Sequence, residues 1–246
     1  MTSNPCYNGG TCLPPDNGQS KRRFACKCPD AYTGNRCQKP IRSCRGYSNG
    51  NRVAGKYKIL DGDKTLHEVF CDFDTNSSMT WTLIESFQRE QNMKSLSFDE
   101  PLNQGNHTWN GYRLSKTRME SIQNDSLMWR ATCEYQEHSN CSDVVRGFND
   151  KINILTQKDG CFEVEYINVA GYFCSNCTVF FYQKPSWKFH FYFREKREKE
   201  NKCYFQPNVS VTQADYFGAY QSGWFDTAHC CSKSPTATTQ VWFGGQ

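Results

Sequence analysis

The sequence predicts two unequal, disulfide-stabilised domains: a small β module at the amino end and a larger, strand-rich domain after it. Of the 15 cysteines among 246 residues, five lie in the first 37 positions and ten are spread from Cys44 to Cys231. A stretch of about 40 residues depends on cross-links, whereas about 200 residues can bury a real core. Cysteine at this density is typical of an oxidising compartment, so we expect a secreted or extracellular protein.

Composition and charge limit the classes of function. The net charge of +4 is mild and indicates neither nucleic acid nor a membrane surface as the partner. The sequence contains no apolar run of about 18 residues that would span a membrane. It opens without the apolar segment of a signal peptide, so we expect a fragment of a longer secreted protein or of an ectodomain. None of the five histidines lies in a nucleophile-elbow or zinc-helix spacing, so we expect no enzyme.

Six Asn-x-Ser/Thr sequences support secretion, because this pattern is the acceptor for N-glycosylation. They begin at Asn76, Asn106, Asn124, Asn140, Asn176 and Asn208. A cysteine follows Asn140 and Asn176, so disulfide formation competes with glycosylation at both. Zinc is the alternative use of Cys174-Ser-Asn-Cys177, but no second ligand pair lies at a matching distance.

The first 37 residues carry a cysteine pattern with a short turn inside it. Gly9-Gly10 supplies the positive φ of a tight turn, and the cysteines are Cys6, Cys12, Cys26, Cys28 and Cys37. The pattern resembles an EGF-like module. The resemblance implies the disulfides Cys6–Cys26 and Cys28–Cys37. It leaves Cys12 unpaired, because Met1 occupies the place of the family's first cysteine.

The same resemblance implies sites of modification in this module. Ser3, in Ser-Asn-Pro-Cys, resembles an O-glucose acceptor, and Thr11 resembles an O-fucose acceptor. Pro14 stands where the calcium-binding subtype has Asp or Asn, so we expect no calcium here. The basic run Lys21-Arg22-Arg23 either contacts sulfated glycans or is a solvated loop.

After Cys44, three short segments follow one another along the sequence. They are Gly55-Lys-Tyr-Lys-Ile59, Val69-Phe-Cys-Asp-Phe73 and Thr80-Trp-Thr-Leu-Ile84. They resemble the start of a fibrinogen C-terminal domain. The resemblance implies an α+β fold with a mainly antiparallel sheet over residues 40–246, after an EGF-like module over residues 1–39. It also implies the disulfide Cys44–Cys71.

Local patterns predict several elements of this domain. Residues 55–60, 66–73 and 127–133 read as strands. Residues 116–123 read as a helix with Ser115 as its N-cap. Residues 178–183 and 187–193 read as an aromatic hairpin.

The ligand site is predicted near the carboxyl end, by analogy of position with the family's pocket. The candidates are Tyr216, Tyr220, Trp224, Phe225 and His229. The acidic calcium loop of the family is reduced to Asp215 and Asp226, which does not support a calcium site. We therefore expect no cofactor. Cys203 is a candidate disulfide partner for Cys230 or Cys231.

These features predict an extracellular recognition or adhesion glycoprotein, of the secreted or matrix type. The leading hypothesis is lectin-like binding of glycans or acetylated ligands on cell surfaces or matrix, with the EGF-like module as a spacer. The alternative is a protein-interaction fragment of a larger matrix, receptor or signalling-ligand protein. Under either hypothesis, an upstream region is a candidate for assembling the protein into oligomers.

Overall fold

The computed structural model describes residues 4–14, 24–47, 53–74, 77–88, 93–135, 143–156, 159–169, 171–183, 203–205, 217 and 236–246. Within them the chain forms a disulfide-rich module, followed by a body with a mainly antiparallel β-sheet and one α-helix. No helix in these ranges is long and apolar enough to cross a membrane.

The amino-terminal module consists of two short antiparallel pairs. β1 (Thr11–Leu13) pairs with β2 (Ala25–Lys27), and β3 (Tyr32–Thr33) pairs with β4 (Lys39–Pro40). Disulfides Cys6–Cys26 and Cys28–Cys37 join these pieces, at the pairs that the resemblance implies. Cys12 is a free, exposed thiol.

The two glycines of the module's turn have different roles. Gly9 has φ +79°, as the sequence predicts for a tight turn. Gly10 is instead required by a close approach, because a Cβ there would lie 2.8 Å from Cys37 Sγ. Ala31 takes φ +61° and is buried, at a position where the family commonly has glycine.

The body is built on a nine-stranded sheet within the described residues. Its order is β12-β11-β10-β9-β13-β7-β6-β5, with β8 paired to part of β7, and all neighbouring strands in it are antiparallel. The strands are β5 Gly55–Leu60, β6 Leu66–Asp74, β7 Met79–Gln88, β8 Gly111–Arg113, β9 Met128–Cys133, β10 Val144–Phe148, β11 Asp159–Val169, β12 Tyr172–Tyr182 and β13 Thr238–Gly245.

The last strand, β13, occupies the middle of this sheet. It lies between β7 and β9, and all eight of its residues are buried. Trp129 and Phe181 contribute to the core, with ring centroids 6.0 Å apart. Gly147 lies opposite Trp129 in the sheet, where a Cβ would meet the indole at 3.2 Å. The carboxyl end is therefore a central part of the fold.

The predicted helix is present as α1 (Lys116–Asn124), with Met119 and Ile122 buried. Ser115 lies at the N-cap position, but its side chain makes no capping hydrogen bond. The segment 178–183 belongs to a longer strand, β12, which pairs with β11. Residues 187–193, the other half of the predicted hairpin, lie outside the described residues.

The disulfides of the body include one predicted pair and two others. Cys44–Cys71 joins a 3-10 helix (Cys44–Tyr47) to β6. Cys203 bonds Cys161, so the proposed pairing of Cys203 with Cys230 or Cys231 is wrong. β11 carries Cys161 and places it beside residues 203–205, where the Phe205 N–H donates to the Thr178 carbonyl. Cys174 bonds Cys177, which leaves neither thiolate for zinc.

The module and the body are joined by continuous hydrogen bonding. The Ile41 N–H donates to the Ala31 carbonyl, and the Leu60 N–H donates to the Ile41 carbonyl, both at 2.8 Å. Lys58 forms an ion pair of 2.9 Å with Asp30. The boundary between the two expected domains falls at β4, and the short junction fixes the module against β5.

Substituting Gly244 with alanine should destabilise the body strongly. A Cβ at this position of β13 would lie 2.0 Å from the Thr80 carbonyl oxygen and 2.8 Å from the Trp81 ring. Backbone cannot yield as a flexible side chain does, so we expect a loss of at least about 2 kcal/mol in the free energy of unfolding. Urea denaturation under oxidising conditions measures it. Gly62→Ala is the control, because a Cβ there meets nothing within 4 Å. Equal losses in the two variants would contradict the central position of β13.

Candidate ligand-binding surface

The predicted pocket residues cannot be placed in this structure. Tyr216, Tyr220, Trp224, Phe225 and His229 all lie outside the described residues, as do Asp215 and Asp226. The described residues bring together a different group of aromatic side chains, which comes from β6, β7, β13, the loop before β8 and the end of β9.

At the centre of this group, the guanidinium of Arg130 packs between two indoles. Its Cζ lies 4.6 Å from the ring centroids of both Trp81 and Trp242. Trp242 is directly opposite Arg130 across β13 and β9, and Asp72 is directly opposite Trp81 across β6 and β7. Opposed residues share a sheet face, so this row crosses four strands on one face. We call these four residues the Arg130 clamp.

Asp72 balances the charge of the clamp. It accepts a hydrogen bond from Arg130 Nη2 and another, of 2.7 Å, from the Tyr135 hydroxyl. Burial lowers the pKa of Arg130, while Asp72 opposes that shift. Burial, followed by the hydrogen bond to Asp72, raises the pKa of Tyr135. The clamp is thus a desolvated ion pair with aromatic walls, a type of interaction that fixes geometry more than it adds stability.

Four half-buried aromatic rings lie beside the clamp: Phe70, His107, Trp109 and Tyr135. We call them the aromatic shelf. Ring centroids are 4.5 Å apart for His107 and Trp109, 5.0 Å for Phe70 and Trp109, and 5.6 Å for Trp109 and Tyr135. Tyr135 also lies 4.8 Å from Trp242, which connects the shelf to the clamp. The shelf is a partly exposed apolar surface with a rigid base.

The inner side of the shelf is poor in polar partners. His107 Nε2 and the Tyr112 hydroxyl are buried, and neither has a hydrogen-bond partner among the described residues. Burial, followed by the nearby Lys56 charge, lowers the pKa of His107 to about 4. Burial also raises the pKa of Tyr112. Both side chains are therefore neutral at physiological pH.

Charged residues border the shelf on the side of β5. Lys56 is directly opposite Phe70 and forms an ion pair of 3.2 Å with Glu68. Lys58, the next residue on that face, binds Asp30 of the module. These exposed groups add charged hydrogen-bond donors and acceptors at the edge of the shelf. An apolar surface bordered by a few polar groups is typical of small-ligand sites.

The described glycosylation acceptors are all on the surface. Asn106, Asn124, Asn176 and Thr11 are exposed. Ser3, Asn76, Asn140 and Asn208 lie outside the described residues. Among the described His, Cys, Asp and Glu side chains, no group of three is arranged to hold a metal ion.

Sequence reasoning missed both the clamp and the shelf. Asp72 and Trp81 occur in two of the motif segments, and local pattern assigns them no role beyond that. One feature of the sequence does point to the clamp. Arg130 is a charged residue within the predicted strand 127–133, and a charged residue in a buried strand needs partners on neighbouring strands. Their identity depends on the sheet order, which local patterns do not give.

A disulfide-rich module fixed to a disulfide-stapled, antiparallel body fits an extracellular protein. The EGF-like domain family matches residues 2–36. A toxin from Bunodosoma caissarum, Toxin Bcs III 15.09, is 50% identical over 36 residues, which cover 15% of this chain and 73% of the toxin. The chain therefore belongs, through this module, to the EGF-like domain family. Such a module indicates an extracellular role in protein interaction.

Replacing Arg130 with lysine should destabilise the body. Lysine retains the charge but lacks the planar group that packs between two indoles, and it leaves Asp72 poorly paired. We expect a loss of about 2–4 kcal/mol in the free energy of unfolding, measured by urea denaturation. Arg146→Lys is the matched control, because Arg146 also pairs with a carboxylate and lies over a tyrosine ring, but its side chain is 33% exposed. It should lose about 0.5 kcal/mol or less. A similar loss in both variants would argue against the clamp.

The low pKa of His107 should make folding stability depend on pH. As the pH falls from about 6.5, the ordinary histidine pKa, the unfolded chain takes up a proton that folded His107 accepts only near pH 4. His107 therefore contributes stability above pH 6.5, and this contribution is lost toward pH 4. His107→Phe keeps an aromatic ring and should reduce the change in melting temperature between pH 6.5 and pH 4. His67→Gln, at another histidine with a lowered pKa, should leave the His107 contribution in place. If the melting temperature of His107→Phe depends on pH as strongly as that of the unchanged protein, the prediction is wrong.

Proposed function

We propose that this protein is an extracellular, non-catalytic recognition protein whose sheet body resembles a fibrinogen C-terminal domain and binds glycans or acetylated ligands. The aromatic shelf carries the proposal. Pyranose rings and acetyl methyl groups present C–H faces that pack on aromatic rings, while Lys56 and Glu68 can bind hydroxyl groups.

Support for the fibrinogen-like assignment comes from the placement of its motif segments. They form the consecutive strands β5, β6 and β7, and Cys44–Cys71 ties the start of the body to this group. Asp72 and Trp81 of those segments belong to the Arg130 clamp. The motif would therefore serve folding, and the ligand would be selected by residues around it.

A protein partner is the second candidate function, and the fixed junction favours it. Since Ile41 bonds both Ala31 and Leu60, the module is held against the body. A partner protein that recognised module and body together would bind without ordering the junction, which lowers the cost of association.

An array of glycans and acetylated ligands, probed with the secreted protein both before and after enzymatic removal of its N-glycans, tests the first proposal. Trp109→Ala should abolish binding, because it removes the central ring of the shelf. Phe173→Ala should not, because Phe173 is 69% exposed on β12, at the far edge of the sheet. Unfolding curves for both variants separate binding from folding.

The other outcomes of the array assign the site elsewhere. Loss of binding in Trp224→Ala alone would place it at the residues predicted from sequence. Loss with EDTA would reveal a calcium-dependent site. Absence of binding to every glycan and acetylated ligand would contradict the lectin-like function and favour the protein partner.

A further inference from the structure

The sequon at Asn106 lies in the loop that supplies two of the four shelf rings. Asn106 immediately precedes His107 and is three residues from Trp109. Three residues of extended chain span at most about 11 Å. The Asn106 side chain is exposed. The Asn106 backbone therefore lies within about 11 Å of the Trp109 backbone and is bonded directly to that of His107.

Hydrogen bonds hold this loop in place. Its ends are joined by the Leu102 and Arg113 backbones, which bond each other at 2.9 and 2.8 Å. The Asn106 N–H donates to the Asn103 carbonyl, and Asn103 Nδ2 donates to the Gly111 carbonyl. The Thr108 hydroxyl donates to the same Gly111 carbonyl at 2.9 Å. The attachment point thus has a fixed position relative to the shelf.

We propose that the first N-acetylglucosamine of an N-glycan on Asn106 packs on the aromatic shelf and occupies it as an internal ligand. The attachment joins Asn106 Nδ2 to the anomeric carbon of the sugar. A lipid-diphosphate oligosaccharide is the donor; its diphosphate lipid leaves and the amide loses one proton. The claim that this internal ligand regulates the binding of external sugars rests on the proposed function. The claim that it covers the shelf does not.

The chemistry of the sugar matches that of the shelf. The C–H face and the N-acetyl methyl group can cover Trp109 and Tyr135, and the hydroxyl groups can reach solvent or the Lys56–Glu68 pair. Burial of apolar area stabilises such a contact by roughly 25 cal/mol per Å². Because the glycan is tethered, its effective concentration is about millimolar or higher. A weak external sugar would therefore compete poorly at this site.

The first test measures coverage of the shelf directly. Protein secreted from a eukaryotic host is treated with hydroxyl radicals, and mass spectrometry reads oxidation at Trp109 and Tyr135. Asn106→Gln should raise their oxidation at least twofold and leave Phe173 unchanged. Asn124→Gln, which removes the exposed sequon at the end of α1, should change neither. Thr108→Ser retains the sequon and the hydroxyl and should behave like the unchanged protein.

Two results of this test would overturn the proposal. One is equal oxidation of Trp109 in the Asn106→Gln variant and in protein whose Asn106 is glycosylated. The other is an Asn106 that carries no glycan when the protein is secreted, as determined by peptide mass.

A second measurement separates this inference from the proposed function. Binding of an N-acetylglucosamine-terminated ligand should rise several-fold in Asn106→Gln and not in Asn124→Gln. If the Asn106 glycan covers the shelf but neither Asn106→Gln nor Asn124→Gln binds the ligand, the shelf contacts only the attached glycan and the lectin-like function is wrong. If both bind equally and coverage is absent, the lectin-like function stands and the internal ligand is wrong.

Discussion

The position of Arg130 between Trp81 and Trp242 is the constraint on which the body depends. It joins strands from the early, middle and last parts of the chain, because β6 and β7 supply Asp72 and Trp81, β9 supplies Arg130, and β13 supplies Trp242. A buried guanidinium is costly unless every partner is present. The clamp therefore closes only when the final strand inserts, and a sheet with such long-range contacts is expected to fold slowly.

A second buried arginine positions the loop beside the clamp. Arg113 is fully buried, pairs with Glu85, and donates to the carbonyls of Lys94, Ser95 and Phe98. Its backbone also closes the loop that carries His107 and Trp109. Arg113 thus orders the polypeptide on both sides of β8. The shelf is consequently held by the clamp beside it and by Arg113 at the end of its loop, and its rings need little reordering when a ligand binds.

The elements that could be predicted from sequence are those set by local pattern. β5, β6 and α1 follow from alternation and helical spacing within ten residues. The central place of β13 could not be predicted, because it is determined by pairing with strands far away in the chain. The same holds for Cys161–Cys203, which sheet geometry creates. The shelf combines Phe70, Tyr135 and one loop, and no spacing in the sequence connects them. The EGF-like module was recognisable because its cysteines replace a core and so fix the pattern.

The rigid junction extends this reasoning from the body to the module. Lys58 binds Asp30 of the module and lies on the same face of β5 as Lys56, which borders the shelf. The polar residues at the edge of the shelf are therefore adjacent to a residue that contacts the module. A large ligand that covered the shelf would meet groups from both units in a fixed arrangement. Because no hinge must be ordered, specificity would come from the distance between the two units as well as from each surface alone.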